Sequence, residues 1–195
     1  MIDFLRKIFG LSSGQGKPAD GPEKAGIAPT ADHSPAVLQA HEHGIDLDLV
    51  SRNAIRVVKT LQQAGYAAFI VGGAVRDLML GEKPKDFDVA TDAPPEQVRR
   101  LFRRAFLIGR RFQIVHVRMG RDDLFEVTTF RGNSEKPAEV DEAGRLLSDN
   151  TFGTQAEDAA RRDFTINALY YNPTDQTLLD YHQGIRDLGT KTLRI

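Results

Sequence analysis

The sequence predicts an α/β (α+β) protein in which a mixed sheet is flanked by helices. Three observations carry that expectation. From Ile45 onward, short apolar runs rich in Val, Ile and Phe alternate with stretches of helical period. Turn and capping residues fall between them, at Ser51, Gly65, Pro94–Pro95, Gly109 and Gly120. The composition, 41% hydrophobic and 27% charged over 195 residues, allows one medium domain plus an appendage and is ordinary for a soluble globular chain.

The same composition removes several function classes. With no cysteine, disulfide frameworks, zinc fingers and thiol catalysis are excluded, and a reducing, cytoplasmic setting is expected. No apolar run reaches the roughly 18 residues of a transmembrane helix. A net charge of −1 gives no global signal for a nucleic-acid or membrane partner.

The opening MIDFLRKIFGL is too short and too charged for a secretory signal. It reads as a frayed terminus or as an amphipathic segment touching a membrane surface or a protein. Ser12–His43 is rich in Gly, Pro, Ala, Ser and Asp without periodicity, so residues 1–44 are expected to be a disordered tail and 45–195 one folded domain. Asp48 or Ser51 can cap a helix with Val50, Ala54, Val57, Val58 and Leu61 at helical spacing, closed by Gly65. Strand Ala67–Val71, helix Ala74–Leu80 and strand Phe87–Ala90 follow. Pro94–Pro95 opens a helix to about Arg104, and then come strand-like pieces Phe106–Ile108, Gln113–Met119 and Leu124–Phe130. Arg131–Asn150 is polar and aperiodic and reads as a mobile loop. A helix from about Gln155 to Arg162, a turn-rich piece at Phe164–Ala168 and strand Leu169–Asn172 come next. A turn at Gly184 and a final strand over Lys191–Ile195 complete the expectation.

The chemistry concentrates in Phe69–Ala93. An apolar run enters Gly72–Gly73, a short helix carries Arg76 and Asp77, and Asp86 and Asp88 flank Phe87. Residues i and i+2 of a strand share a face, so the two carboxylates aim together and repel unless a cation lies between them. Hard divalent ions such as Mg²⁺ take such oxygen ligands, usually with substrate phosphates completing the shell. After a glycine turn suited to close phosphate approach, the pair reads as a metal-dependent phosphoryl or nucleotidyl transfer site. Glu126, on a strand expected nearby, is the candidate third carboxylate that orients or deprotonates an attacking hydroxyl. A lone D-x-D is weak, since Asp46-Leu47-Asp48 has the same spacing and reads as helix capping. What distinguishes Asp86 and Asp88 is the glycine segment a fixed short distance before them.

Taken with Arg161-Arg-Asp-Phe-Thr-Ile-Asn167, these motifs make the chain closely resemble the class II nucleotidyltransferases. Those are the bacterial poly(A) polymerases and CCA-adding tRNA nucleotidyltransferases, which share a polymerase-β-like head; the resemblance runs from about Asp48 to the C-terminus. It implies Mg²⁺ (or Mn²⁺) held by Asp86 and Asp88, with ATP as a substrate and an RNA 3′ end as acceptor. Gly72 and Gly73 would cradle the triphosphate, and Arg76 and Asp77 would brace the turn. Arg162, Asp163 and Asn167 would lie near the nucleotide ribose, with Asp163 belonging to the active centre. From the residues alone, Arg161-Arg162-Asp163 is also compatible with a salt-bridged surface.

Leu107-Ile-Gly-Arg-Arg-Phe-Gln-Ile-Val-His-Val117 resembles the segment typical of the bacterial poly(A) polymerases, although Gln113 stands where an arginine is common. Between Gln97 and Arg118 lie seven arginines and no acid, a local positive field able to attract RNA or triphosphate. Arg110 and Arg111 are the RNA-binding candidates; Arg99, Arg100, Arg103 and Arg104 are equally compatible with a solvated helix face. His116 sits in an apolar strand and reads as a core histidine rather than a catalytic one. The family's base-selecting E-D-x-x-R motif in the neck helices has no counterpart after Asn167, so the chain is expected to be a head without neck or body. Addition of AMP from ATP to RNA 3′ ends is the leading expectation; CCA addition to tRNA and a non-catalytic nucleotide- or RNA-binding head are the alternatives.

Overall fold

In the computed structural model, residues 34–109, 113–121, 123–132, 139–140, 146–148 and 151–195 are described. The opening MIDFLRKIFGL, Arg110 and Arg111 lie outside them. Strand β1 (Ala36–Leu38) and the single helical turn α1 (Ala40–His43) come first. Helix α2 (Arg52–Gln63) starts where Ser51 Oγ accepts a hydrogen bond from the Ala54 amide, and it buries Ala54, Val57, Val58 and Leu61 completely. Strand β2 (Ala68–Val71), helix α3 (Gly73–Met79) and strand β3 (Asp88–Thr91) follow. Pro95 occupies the first turn of α4 (Pro95–Leu101). That helix ends short of Arg104, because Phe102 turns extended and buries its ring in the core. Strands β4 (Ala105–Ile108), β5 (Ile114–Met119) and β6 (Asp123–Thr129) form an antiparallel-paired edge.

The stretch expected to be a mobile loop instead contains paired backbone: β7 (Glu139–Val140) and β8 (Leu146–Ser148) form a two-stranded antiparallel ladder, and Arg131 bridges Phe152. Strands of two and three residues are too short to leave an alternation signal. Helix α5 (Gln155–Ala160) begins with a reciprocal cap between Thr154 and Glu157. A 3₁₀ turn at Thr165–Asn167 leads into β9 (Leu169–Asn172).

The C-terminal reading needs correction. Strand β10 (Thr177–Asp180) was not expected, and Gly184 opens helix α6 (Gly184–Thr190) rather than a turn into a final strand. With two glycines and a threonine, GIRDLGT is a poor helix former; tertiary hydrogen bonds hold it. Asp180 accepts from the amides of His182, Gly184 and Ile185, while buried Asp187 accepts from Thr165 Oγ1 and pairs with Arg194. A Cβ on Gly184 would run into the Thr165 carbonyl, so the close approach itself requires glycine there.

The expected disordered tail is also too long, since β1 and α1 fall inside 1–44. β1 gains order by pairing antiparallel with β10, the strand that local pattern did not reveal. His43 is 1% exposed, accepts at Nδ1 from the Ile45 amide and donates from Nε2 to the Gln176 carbonyl, which fixes the neutral tautomer. Burial lowers its pKa below the ordinary 6.5. The folded state therefore binds a proton less readily than the unfolded chain, and His43's stabilising contribution is present above pH 6.5 and shrinks as pH falls below it. Thermal unfolding of His43→Gln across pH 5 to 8 is expected to show a lower Tm than the parent at neutral pH and a flatter acid limb.

The eight-stranded sheet has the order β1-β10-β9-β2-β3-β6-β5-β4, antiparallel throughout except for the parallel β3–β6 pair. Alternation divides its two faces. Ile70, Val89, Val115, Val117, Val127 and Tyr171 point to one face and pack with α2, α3 and α4 into the main core. Val71, Ala90 and Tyr170 point to the other, where a smaller cluster with Phe130 and Ala159 of α5 covers only part of the sheet. Asp88, Glu126 and His116 have the parity of this second, open face.

Candidate active site

Strand pairing sets the site. Val71, the last residue of β2, pairs with Asp88, the first of β3, so the chain must turn at Gly72 directly beside that carboxylate. Gly72 has φ 72° and ψ −143°, a region that residues with a Cβ enter only under strain. A Cβ there would lie 3.8 Å from Asp88 Oδ2 and 3.7 Å from Arg162 Nη1. Gly72→Ala is expected to cost about 1–3 kcal/mol, seen as a Tm lowered by several degrees; an unchanged Tm would show that the turn tolerates a side chain.

The parallel pairing of β3 with β6 puts Asp88 in register with Glu126, and β6–β5 pairing puts Glu126 in register with His116. Asp86 lies just before β3, with Phe87 between the two aspartates buried on the opposite side (6% exposed); both aspartates keep solvent contact, although the Asp88 carboxylate, at the cavity, is partly desolvated. Desolvation first, then the negative charge of Glu126, raises the Asp88 pKa; Arg162 pulls it down and Asp86 adds a smaller upward push. Thus Asp86, Asp88, Glu126 and Arg162 share one electrostatic neighbourhood. Because the folded state favours protonated Asp88, its ionisation costs stability as pH rises above the ordinary carboxylate value of about 3.9. Any reaction that needs ionised Asp88 should lose rate on the acid side at a higher pH than an unperturbed aspartate would give.

His116 Nε2 is 3.4 Å from Glu126 Oε1, within ion-pair range, yet it makes no hydrogen bond although it is buried. The expectation of an ordinary core histidine is therefore corrected. Its ring lies on the open face beside an acid of the site, because strand parity places it opposite Val115 and Val117.

Arg162 is the cation whose charge acts on Asp88, and its position depends on Asp158 and Tyr170, to which the sequence analysis gave no role. Its Nη2 donates to Asp158 Oδ2 at 3.1 Å and its Nε to Tyr170 OH at 3.1 Å, while the Tyr170 hydroxyl donates to the same Asp158 oxygen at 2.7 Å. The guanidinium carbon lies 5.2 Å from the Tyr170 ring centroid. Asp158 is 7% exposed and Tyr170 is fully buried, and burial pushes the tyrosine's pKa upward, so it remains a neutral donor. The one available clue was the i,i+4 spacing of Asp158 and Arg162. Asp158 Oδ1 also accepts from the Arg131 amide, which ties β6 to α5.

Val71, Asp88, Glu126, Thr128 and Arg162, together with Arg131, Asp158 and Arg161, line a cavity of about 250 Å³. Arg161 donates to the Gly132 carbonyl at its rim. The rest of the second motif, Asp163 and Asn167, meets Arg76 beside Gly73. Arg76 folds over Gly73, pairs with Asp77 at 2.8 Å and donates to Asn167 Oδ1 at 3.1 Å; Asn167 in turn donates to Asp163 Oδ1 at 3.2 Å. The two sequence motifs are thereby joined directly. Asp163 belongs to that link and is not among the residues lining the carboxylate cavity. Among the described residues no group of three or more His, Asp or Glu is close enough to hold a metal by itself.

A mixed sheet that opens a glycine turn beside an acidic pair is the fold of a nucleotidyltransferase head. The solved structure of the Bacillus stearothermophilus CCA-adding enzyme in complex with CTP superposes with a TM-score of 0.57 at 33% identity, covering 72% of this chain and 32% of that one. Poly(A) polymerase I of Haemophilus influenzae is 53% identical over 165 residues, 82% of this chain and 36% of the relative. The CCA-adding enzyme of Bacillus velezensis is 41% identical over 142 residues, 72% of this chain and 34% of the relative. Residues 68–194 match the family described as the Poly A polymerase head domain. The chain belongs to that family, and it spans about a third of the length of the curated relatives it matches.

Proposed function

We propose that residues 45–195 are the head of a polynucleotide adenylyltransferase that adds AMP from ATP to RNA 3′ ends without a template. The observation that carries this reading is the placement of Asp88, Glu126 and Arg162 around one cavity beside the Gly72 turn. The acceptor's 3′ oxygen forms a bond to the α-phosphorus of ATP as the bond to the β-phosphate bridging oxygen breaks, and pyrophosphate leaves. Glu126 takes the hydroxyl's hydrogen bond and proton, Arg162 offsets charge on the phosphoryl oxygens, and Gly72–Gly73 lets the triphosphate approach the backbone. Arg76 and Asp77 hold the turn, while Asn167 and Asp163 face the ribose side. Arg110 and Arg111 are proposed to contact RNA.

The donor set fits a hard divalent cation, because burial and the negative charges of Glu126 and Asp86 raise the cost of ionising Asp88, a cost that a cation between the carboxylates would offset. Asp86 and Asp88 would hold Mg²⁺ or Mn²⁺, which when bound neutralises the triphosphate and lowers the pKa of the attacking hydroxyl. A cysteine-free chain suits the cytoplasm, and among the described residues no helix is long and apolar enough to cross a membrane.

The preference for poly(A) over CCA addition rests on the higher identity to the relative named poly(A) polymerase I, 53% against 41%. Extension of a 5′-labelled generic RNA with Mg²⁺ and ATP, CTP, GTP or UTP in separate tubes decides between them. An ATP-dependent ladder is expected. Addition of C and then A confined to tRNA would establish the CCA reading, and triphosphate binding with no extension at any enzyme concentration would leave a binding head.

A further inference from the structure

The row of residues that begins at the carboxylates continues across the sheet to its edge. Asp88 of β3 registers with Glu126 of β6, Glu126 with His116 of β5, and His116 with Phe106 of β4, the last strand of the sheet. All four have the same facing, because their chain neighbours Val89, Val115, Val117, Phe125 and Val127 are in the main core. Phe106 is 56% exposed, and its face-mates Ile108 and Leu124 are 43% and 45% exposed. A parallel row registers Leu124 with exposed Arg118, whose amide donates to the Arg104 carbonyl, and Arg104 is exposed as well. An exposed apolar face with Phe106 at its centre and arginines along one side thus lies on the same surface as the proposed reaction centre. At about 4.8 Å per strand, Phe106 lies roughly 14 Å from Asp88.

We propose that this face of β4, β5 and β6 is the track for the single-stranded 3′ end of the acceptor RNA, with Phe106 as the platform on which a base upstream of the terminal nucleotide stacks. The inference rests on the RNA-extending activity proposed above and adds where the acceptor lies. Stacking on an exposed aromatic suits any base, so it serves an enzyme that reads no template. Arg118 and Arg104 supply positive charge for the backbone phosphates, and the acids are confined to the end of the row where the 3′ hydroxyl must arrive. Two exposed arginines lie beside the Phe106 row, in the row that holds Leu124, an arrangement that complements a polyanion carrying flat bases better than it does an apolar protein surface. Phe106 is not among the residues lining the carboxylate cavity, so its removal separates acceptor binding from ATP binding.

The test uses the full-length protein and a labelled RNA oligonucleotide. Phe106→Ala, a change at an exposed site, is expected to raise KM for RNA about tenfold, with KM for ATP and kcat at saturating RNA unchanged and with Phe106→Tyr restoring the parent value. An abasic residue at one upstream position of the oligonucleotide should reproduce the loss and add nothing to it in Phe106→Ala. An RNA KM within about twofold of the parent, or equal losses toward RNA and ATP, overturns the platform. Self-association that Phe106→Ala abolishes while RNA KM stays constant would assign the face to a second copy of the chain and also overturns it. Should the parent protein extend no RNA, the activity proposed above fails; equilibrium binding of the same oligonucleotide to parent and Phe106→Ala then decides the platform separately, an unchanged Kd rejecting it.

Discussion

Asp88→Asn is expected to lower nucleotidyl transfer by about three orders of magnitude or more, equivalent to roughly 4 kcal/mol of lost transition-state stabilisation, and at the same time to raise the Tm at neutral pH. The two effects have one cause. Burial and the Glu126 charge disfavour the ionised carboxylate in the free protein, while the chemistry requires it ionised. Asparagine removes the repulsion together with the negative charge that would hold the cation. The Tm advantage should vanish as pH falls toward the ordinary aspartate range, because the parent's Asp88 is then neutral too. Asp86→Asn is expected to lose comparable activity with a smaller gain in Tm, since Asp86 is the least of the contributors to the Asp88 shift. Melting curves with and without Mg²⁺ at several pH values, alongside single-turnover rates, check both halves. A Tm unchanged or lowered at neutral pH would refute the electrostatic conflict, and retained activity in both variants would refute the assignment of the pair.

Asp158→Ala is expected to be the most destabilising single change near the site. Its carboxylate accepts from Arg162, from the Tyr170 hydroxyl and from the Arg131 amide, and only 7% of the residue is exposed. Alanine would leave a mostly buried guanidinium and a buried hydroxyl without that acceptor. Since Arg162 keeps about a fifth of its side chain in solvent, the expected loss is about 2–4 kcal/mol, below the full range for a wholly buried pair. For a domain of this size that corresponds to a fall in Tm of roughly 5–15 °C. Asp158→Asn keeps one acceptor oxygen and should lose less. Differential scanning calorimetry on both variants measures this directly. A Tm for Asp158→Ala within about 2 °C of the parent would mean that Arg162 finds another partner and that Asp158 does not set its position. The same network predicts that Tyr170→Phe weakens catalysis more than folding, because it frees Arg162 to swing from the cavity while preserving the ring in the smaller core.

Local pattern and tertiary outcome agree best where one residue's neighbours in sequence are also its neighbours in space. Helix α2 was legible because its cap, its buried stripe and its terminating glycine all lie within Ser51–Gly65. The opposed facing of Phe87 against Asp86 and Asp88 followed from strand alternation, and burial bears it out. Pairing between distant segments was not legible. The order of β1 depends on β10, which lies some 140 positions downstream of Ala36 (Ala36 pairs with Asp180). Helix α6 depends on Asp180 and on the contact of Asp187 with Thr165. The Asp158–Tyr170 hydrogen bond joins a helix to a strand whose sequences carry no mutual signal.

Taken alone, the amino-acid sequence determined the α/β class, the glycine turn, the paired carboxylates and the likeness to nucleotidyltransferase heads, since each is written in residues close together along the chain. Only the tertiary structure decided that Glu126, expected nearby, stands in direct register with Asp88, that His116 and Phe106 prolong the same row, and that Arg162 is held over the cavity by Asp158 and Tyr170. The physical reason is strand register. One residue's slip in β5 or β6 would turn the acidic row into the core, and nothing local to those strands chooses between the two; burying Val115, Val117, Phe125 and Val127 against the helices does.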